Sequence, residues 1–183
     1  MKVIEPGLRG MRQQGFDKVP LFDIAKDLGV THAPLYTHFA DRSALLDAIT
    51  ERWLNETSIV LDDVCRSRKT PLKKIEERFV AIYQMKRDHM LVDPEPYRAF
   101  DLAASLEIHF VVEHIRRLMT QLEQMLEEAD LGHGSYPFKR AAEVLFAGTA
   151  AFHHPKLVMQ AATLNREPLL RKIVQSLLKG LQK

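Results

Sequence analysis

The sequence predicts an all-α protein, and three observations predict it. Apolar residues recur at intervals of three and four, as in Leu45, Leu46, Ile49, Trp53 and Leu54, the spacing that lines one face of a helix. No stretch reads as a strand. Capping residues and prolines stand at the edges of the periodic runs, where helices start and stop.

Taken in order, Asp41 precedes the first of these runs as an N-cap whose carboxylate can accept a bond from a free first-turn amide. Pro71 opens the next helix, where its missing N–H costs nothing, followed by Leu72, Ile75, Phe79 and Ile82. Asp93-Pro94-Glu95-Pro96 stops that helix. The longest periodic stripe then runs from Ile108 through Val111, Ile115, Leu118 and Leu122 to Leu126. A loop over 131–137 follows, and the chain turns helical again from Phe138 until Pro155 breaks or kinks it. A last helix carries Leu169, Leu170, Ile173, Val174, Leu177, Leu178 and Leu181.

Composition excludes some classes. With 46% hydrophobic and 27% charged residues the chain is an ordinary folding one, not a disordered one. A single cysteine, Cys65, excludes an intramolecular disulfide and a multi-cysteine metal site. The apolar runs fall far short of a membrane span and the N-terminus has no signal-like apolar core, so the cytoplasm is the expected compartment. The net charge is only +2, and residues 1–50 balance Lys2, Arg9, Arg12, Lys18, Lys26 and Arg42 against Glu5, Asp17, Asp23, Asp27, Asp41 and Asp47. Nucleic-acid binding therefore has to rest on local arrangement rather than bulk charge.

That arrangement lies in "DLGVTHAPLYTHFADRSALL", residues 27–46. Ile24, Ala25 and Leu28 give a short apolar face to a helix that Gly29 closes. Thr31 caps a second helix from His32 to Phe39, with Pro34 tolerated in its first turn. Leu35 and Phe39 face inward, which leaves His32, Ala33, Tyr36, Thr37 and His38 exposed. The pattern is a helix-turn-helix whose second helix suits a DNA major groove.

Gly15-Phe16, Asp23-Ile24-Ala25, Leu28-Gly29-Val30-Thr31, Leu35-Tyr36-Thr37-His38-Phe39 and Asp41-Arg42-Ser43-Ala44-Leu45-Leu46 occur in an order that resembles the N-terminal domain of the TetR family of transcriptional regulators. The register holds over residues 8–50. The resemblance implies an all-helical homodimer, with a three-helix DNA reader over residues 1–50 and an effector-binding and dimerisation bundle over 51–183. It places Thr31, His32, Ala33, Tyr36 and His38 against DNA, with Tyr36 and His38 on phosphates and His32 and Ala33 nearest base edges. Thr37 shares that helix's exposed side, and Arg42 stands where the family has a lysine that contacts backbone phosphate. Two departures, Pro6-Gly7 in the first helix and Val19-Pro20 at the start of the second, predict a weakened first helix and reduced DNA affinity.

In the larger bundle, Phe79, Tyr83, Tyr97, Phe100, Phe110, Phe146 and the histidines His109, His114 and His153 are candidates to line a mixed apolar effector pocket. His109, His114, His153 and His154 are also candidate ligands for a divalent metal, against the ordinary reading that each is separately satisfied in core or surface. The stripe Leu170, Ile173, Val174, Leu177 and Leu181 exceeds what one bundle needs, and marks a candidate dimer interface.

The expected function is a ligand-responsive regulator, a repressor that binds a palindromic DNA operator and is released by a small-molecule effector. Two alternatives stand beside it: a helical interaction or ligand-binding protein that has lost DNA binding, and a metal-binding helical enzyme. The enzyme reading lacks motifs. There is no phosphate loop, nucleophile elbow or HExxH, and no Glu-x-x-His pair, since Glu107 and His109 are two apart and Glu113 and His114 adjacent.

Overall fold

A computed structural model of the chain describes residue 9 and residues 41–105, 108–131 and 137–182. Among these residues the secondary structure is helical throughout, in seven α-helices: α1 (Arg42–Arg66), α2 (Pro71–Val92), α3 (Pro94–Ser105), α4 (His109–Glu128), α5 (Phe138–Gly148), α6 (Pro155–Ala161) and α7 (Glu167–Leu181). A single 3-10 turn, Ala150–Phe152, joins α5 to α6. The helix-turn-helix inferred over residues 23–39 lies outside the described residues.

Local chemistry sets the boundaries. Asp41 caps α1, its Oδ1 accepting from the Ala44 amide at 2.9 Å. Thr70 caps α2 in the same way and Pro71 occupies its first turn. As the sequence predicts, α2 ends ahead of Pro94, at Val92; Pro94 and Pro96 in addition fall in the first turn of α3. Pro155 likewise opens α6 rather than kinking a longer helix. In both places the proline's absent N–H sits where no intrahelical bond is made. At the C-terminus of α4 the chain closes left-handed at Asp130 (φ 56°), with Asp130 N donating to Glu127 O at 3.0 Å and Leu131 N to Leu126 O at 2.9 Å. Leu131 is thereby returned to the core.

Helix α2 is the hub, packing against α1, α3, α4, α6 and α7, while α5 pairs with α4 and α7. The larger core gathers Ile75, Phe79, Tyr83, Leu122, Leu126, Leu145, Phe152, Leu170 and Val174. A smaller one gathers Trp53, Leu54, Tyr97, Phe100, Val111 and Val158. In it the Trp53 ring meets Phe100 and Tyr97 edge-on, with centroids 4.4 and 5.4 Å apart.

Polar contacts lock α7 and its approach onto α2. Tyr83 Oη donates to Leu164 O at 3.0 Å and accepts from Arg166 N at 2.9 Å. Arg171 bridges Glu76 (2.7 Å), Glu77 (2.9 Å) and Glu167 (2.8 Å). Although burial alone would raise the Glu76 carboxyl, hydrogen bonds from Lys73, Gln175 and Arg171 hold its pKa down at about 2. Replacing Arg171 with leucine strips three carboxylates of their shared partner, and is expected to cost about 2–4 kcal/mol in urea unfolding at pH 7. An unchanged midpoint would reduce the cluster to a surface ornament.

The proposed dimer stripe divides. Leu170 and Val174 are fully buried inside the chain's own core, so they cannot also face a second copy. Ile173, Leu177 and Leu181 are only partly buried at its edge, beside the exposed Leu169. The domain boundary assigned at residue 50 falls inside α1, which continues without a break to Arg66.

Candidate effector cavity

Beside the smaller core lies a cavity of about 330 Å³. Helix α1 contributes Leu54 and Thr57, α2 Ile82 and Lys86, α3 Phe100, and α4 Val111, His114, Ile115 and Leu118. The floor comes from Phe146 and Ala147 of α5, Ala150, His153 and His154 of the turn, and Pro155 of α6. The wall is therefore mainly aliphatic and aromatic, with a few polar groups converging on it. That composition is typical of small-molecule sites between bundle helices.

The polar groups have identifiable constraints. His153 is buried, and its Nε2 donates to Phe146 O at 2.8 Å, because a carbonyl can only accept. Burial and the nearby Lys86 push its pKa down to about 4, against the opposing pull of that carbonyl. His114 is 4% exposed and its Nδ1 has no hydrogen-bond partner among the described residues. Burial, with the charges of Lys86, Arg117 and Arg78, lowers it to about 4 as well. Lys86 Nζ donates to His153 O at 2.6 Å and sits 4.9 Å above the Phe100 ring. Its burial pushes the ammonium down to about 7.

Behind the cavity, Arg78 is buried too, and burial lowers its pKa to about 10. It donates to Leu118 O at 2.6 Å and to Gln121 Oε1, whose amide donates in turn to Asp62 at 3.0 Å. Its charge is thus spread into a fixed network that ties α1, α2 and α4 around one side of the site.

Of the residues named from sequence, the structure brings Phe100, His114, Phe146 and His153 together at the cavity. Phe79 and Tyr83 belong to the larger core and Tyr97 to the smaller, where its hydroxyl reaches Pro155 O at 3.4 Å. Phe110 packs partly buried on the smaller core, and His109 is exposed. His109 and His114 are five positions apart, which turns them to different faces of α4. His154 is exposed although it reaches the cavity rim. Among the described residues no three His, Cys, Asp or Glu side chains converge as metal ligands. Sequence reasoning missed Lys86. It continues the stripe Phe79, Ile82 and Tyr83 at the i+7 position, and a lysine on a core-facing register was the available signal.

Thr31, His32, Ala33, Tyr36, Thr37 and His38 lie outside the described residues, and Arg42 begins α1. No described helix is long and apolar enough to cross a membrane.

An all-helical bundle that folds a lined cavity against the helix following a helix-turn-helix sequence defines a DNA-binding regulator with a ligand-type domain. Residues 4–49 match the family described as "Bacterial regulatory proteins, tetR family", and residues 71–174 match "Tetracyclin repressor-like, C-terminal domain". The chain belongs to the TetR family of transcriptional regulators.

Solved structures share the fold at low identity. A protein of unknown function from Rhodococcus sp. RHA1 aligns with a TM-score of 0.75 and 20% identity over 99% of this chain and 94% of its own. A TetR/AcrR-family transcriptional regulator from Thermobifida fusca YX-ER1 aligns with a TM-score of 0.72 and 17% identity over 100% and 97%. The fatty acid degradation regulator FadR from Bacillus halodurans aligns with a TM-score of 0.62 and 15% identity over 98% of each chain. No curated protein matches the chain.

Proposed function

We propose that this regulator acts in the cytoplasm as a homodimeric repressor, and that a small molecule in the cavity beside the smaller core releases it from DNA. One observation carries the reading: Leu54 and Thr57, which wall the cavity, sit on the same unbroken helix whose first turn follows the reader sequence directly. From Arg42 to Leu54 that helix rises about 18 Å. A ligand that favours one tilt of α1 then biases the separation of the two readers, and lowers DNA affinity by its differential binding to the two arrangements.

In this reading the second copy docks along α5 and the partly exposed edge of α7, Leu169, Ile173, Leu177 and Leu181. Sedimentation at micromolar concentration is expected to give a dimer, and Ile173→Glu to shift it toward monomer. A wild-type monomer would overturn the arrangement.

The test of the function is selection of DNA from a random pool by the purified protein at moderate salt. A palindrome with half-sites about one helical turn apart, ~34 Å, is expected to be enriched, with Tyr36→Ala abolishing it. Binding should fall steeply as salt rises, because phosphates are being neutralised. No enrichment even at low salt would instead favour a bundle that has lost DNA binding through Pro6-Gly7 and Val19-Pro20.

A further inference from the structure

The cavity wall carries Lys86, His114, His153 and His154 and no acidic side chain among the described residues. Among the described residues Lys86 forms no ion pair; its ammonium donates to the His153 carbonyl at 2.6 Å and lies over the face of Phe100. His114, almost wholly buried, shares that wall. A partly buried ammonium with spare donors, set in an apolar wall with no carboxylate beside it among the described residues, is the mark of a site for an anion.

Resting on the reading of the cavity as the effector site, we infer that its ligand is a free monocarboxylic acid with an apolar body. Its carboxylate pairs with Lys86 Nζ, while the body lies against Phe100, Ile115, Leu118 and Phe146. The size fits this class. A volume of about 330 Å³ lies at the small end of the range of small-molecule sites. The same acid carried as a coenzyme A thioester has lost the carboxylate and gained a polyanionic nucleotide. That nucleotide has no place here, since Lys86 is the lone lysine or arginine on the described wall.

The experiment uses the full chain, stripped of bound lipid, and titrates four probes by calorimetry: decanoate, decanol, decylamine and decanoyl-coenzyme A. Decanoate is expected to bind at least about tenfold more tightly than decanol, because only the acid supplies a charged partner for the ammonium. Decylamine and the thioester should bind more weakly still. Lys86→Met is expected to bring decanoate down to the level of decanol, and Lys86→Arg to retain the preference. Thermal melting of both variants checks that they fold, and Lys86→Gln replaces the methionine variant if it does not.

Equal binding of acid and alcohol, a preference that survives in Lys86→Met, or tighter binding of the thioester would each overturn the proposal. Release of the selected DNA, measured with the same probes, separates this from the functional reading. Tight decanoate binding without release keeps the ligand class and refutes the cavity as the control site. Release by decanol as readily as by decanoate keeps the control site and refutes the acid.

Discussion

A Phe152→Ala variant is expected to lose about 3–5 kcal/mol of stability, the cost of a buried aromatic side chain removed from a packed core. Phe152 is buried in the 3-10 turn, packed edge-on to Tyr83 at a centroid distance of 5.8 Å and covered by the Arg166 guanidinium at 4.5 Å. Truncation therefore leaves a hole in the larger core and also frees the residue on which the segment between α5 and α7 is anchored. For a chain of this length the loss corresponds to a melting temperature lower by about 10 °C. Phe152→Leu should recover most of it by filling the volume. His153 follows Phe152 directly, so the alanine variant should also weaken whatever binds in the cavity. A drop below about 1 kcal/mol would show that the turn collapses around the gap.

Acidification from pH 6.5 to 4.5 is the second large effect. His114 and His153 titrate in the native protein at about 4, whereas the unfolded chain takes up their protons near 6.5. The unfolded state thus binds more protons across that window, and stability is present above 6.5 and lost as the pH falls toward 4. Each histidine accounts for at most about 3 kcal/mol at 1.36 kcal/mol per pKa unit. The groups that hold them neutral are burial first, then Lys86 and Arg78 from α2, Arg117 from α4, and His154 beside His153. Glu76 adds its loss only below about 4.5, so urea titrations at pH 7, 5.5 and 4.5 isolate the histidines. His89, lowered too by its burial, adds to the same slope, so His114→Phe is expected to flatten it by somewhat less than half. Equal stability at the three pH values would mean that both imidazoles are solvated. Lys86 has the same sign at higher pH: depressed to about 7, it makes the empty protein more stable as pH rises from 7 toward 10.5.

Much of the fold was legible because the signals were local. Asp41 and Thr70-Pro71 announce helix starts through chemistry that acts within one turn, and Ile49, Trp53 and Leu54 and then Val111, Leu122 and Leu126 of the periodic stripes mark buried faces of α1 and α4. Pro94 was read rightly as following the end of α2 but not as the start of α3, and the helix start at Pro155 was missed too, because a proline ends one helix and begins the next by the same missing N–H. Which role applies depends on the backbone of the preceding residues, Asp93 and His154, which composition does not encode.

The cavity was half legible for a different reason. A ring at a core-facing position reads alike whether it meets another ring or open space, so Phe79, Tyr83 and Tyr97 were grouped with Phe100 and Phe146. Only the packing of α2 against α1, α3 and α4 distinguishes them. Lys86 was passed over because lysine on a helix normally reaches solvent, and its neighbours, not its own identity, turn it inward.

The continuity of α1 through residue 50 sets a rule for chimaeras of this regulator. A foreign reader spliced onto the bundle is joined through a helix, so the seam has a phase as well as a position. One residue inserted between Arg42 and Leu54 rotates the reader by about 100° and lifts it by about 1.5 Å. Seven residues bring it back almost into phase, about 10 Å farther out. Grafts should accordingly succeed or fail with the periodicity of the helix rather than with the length of the splice.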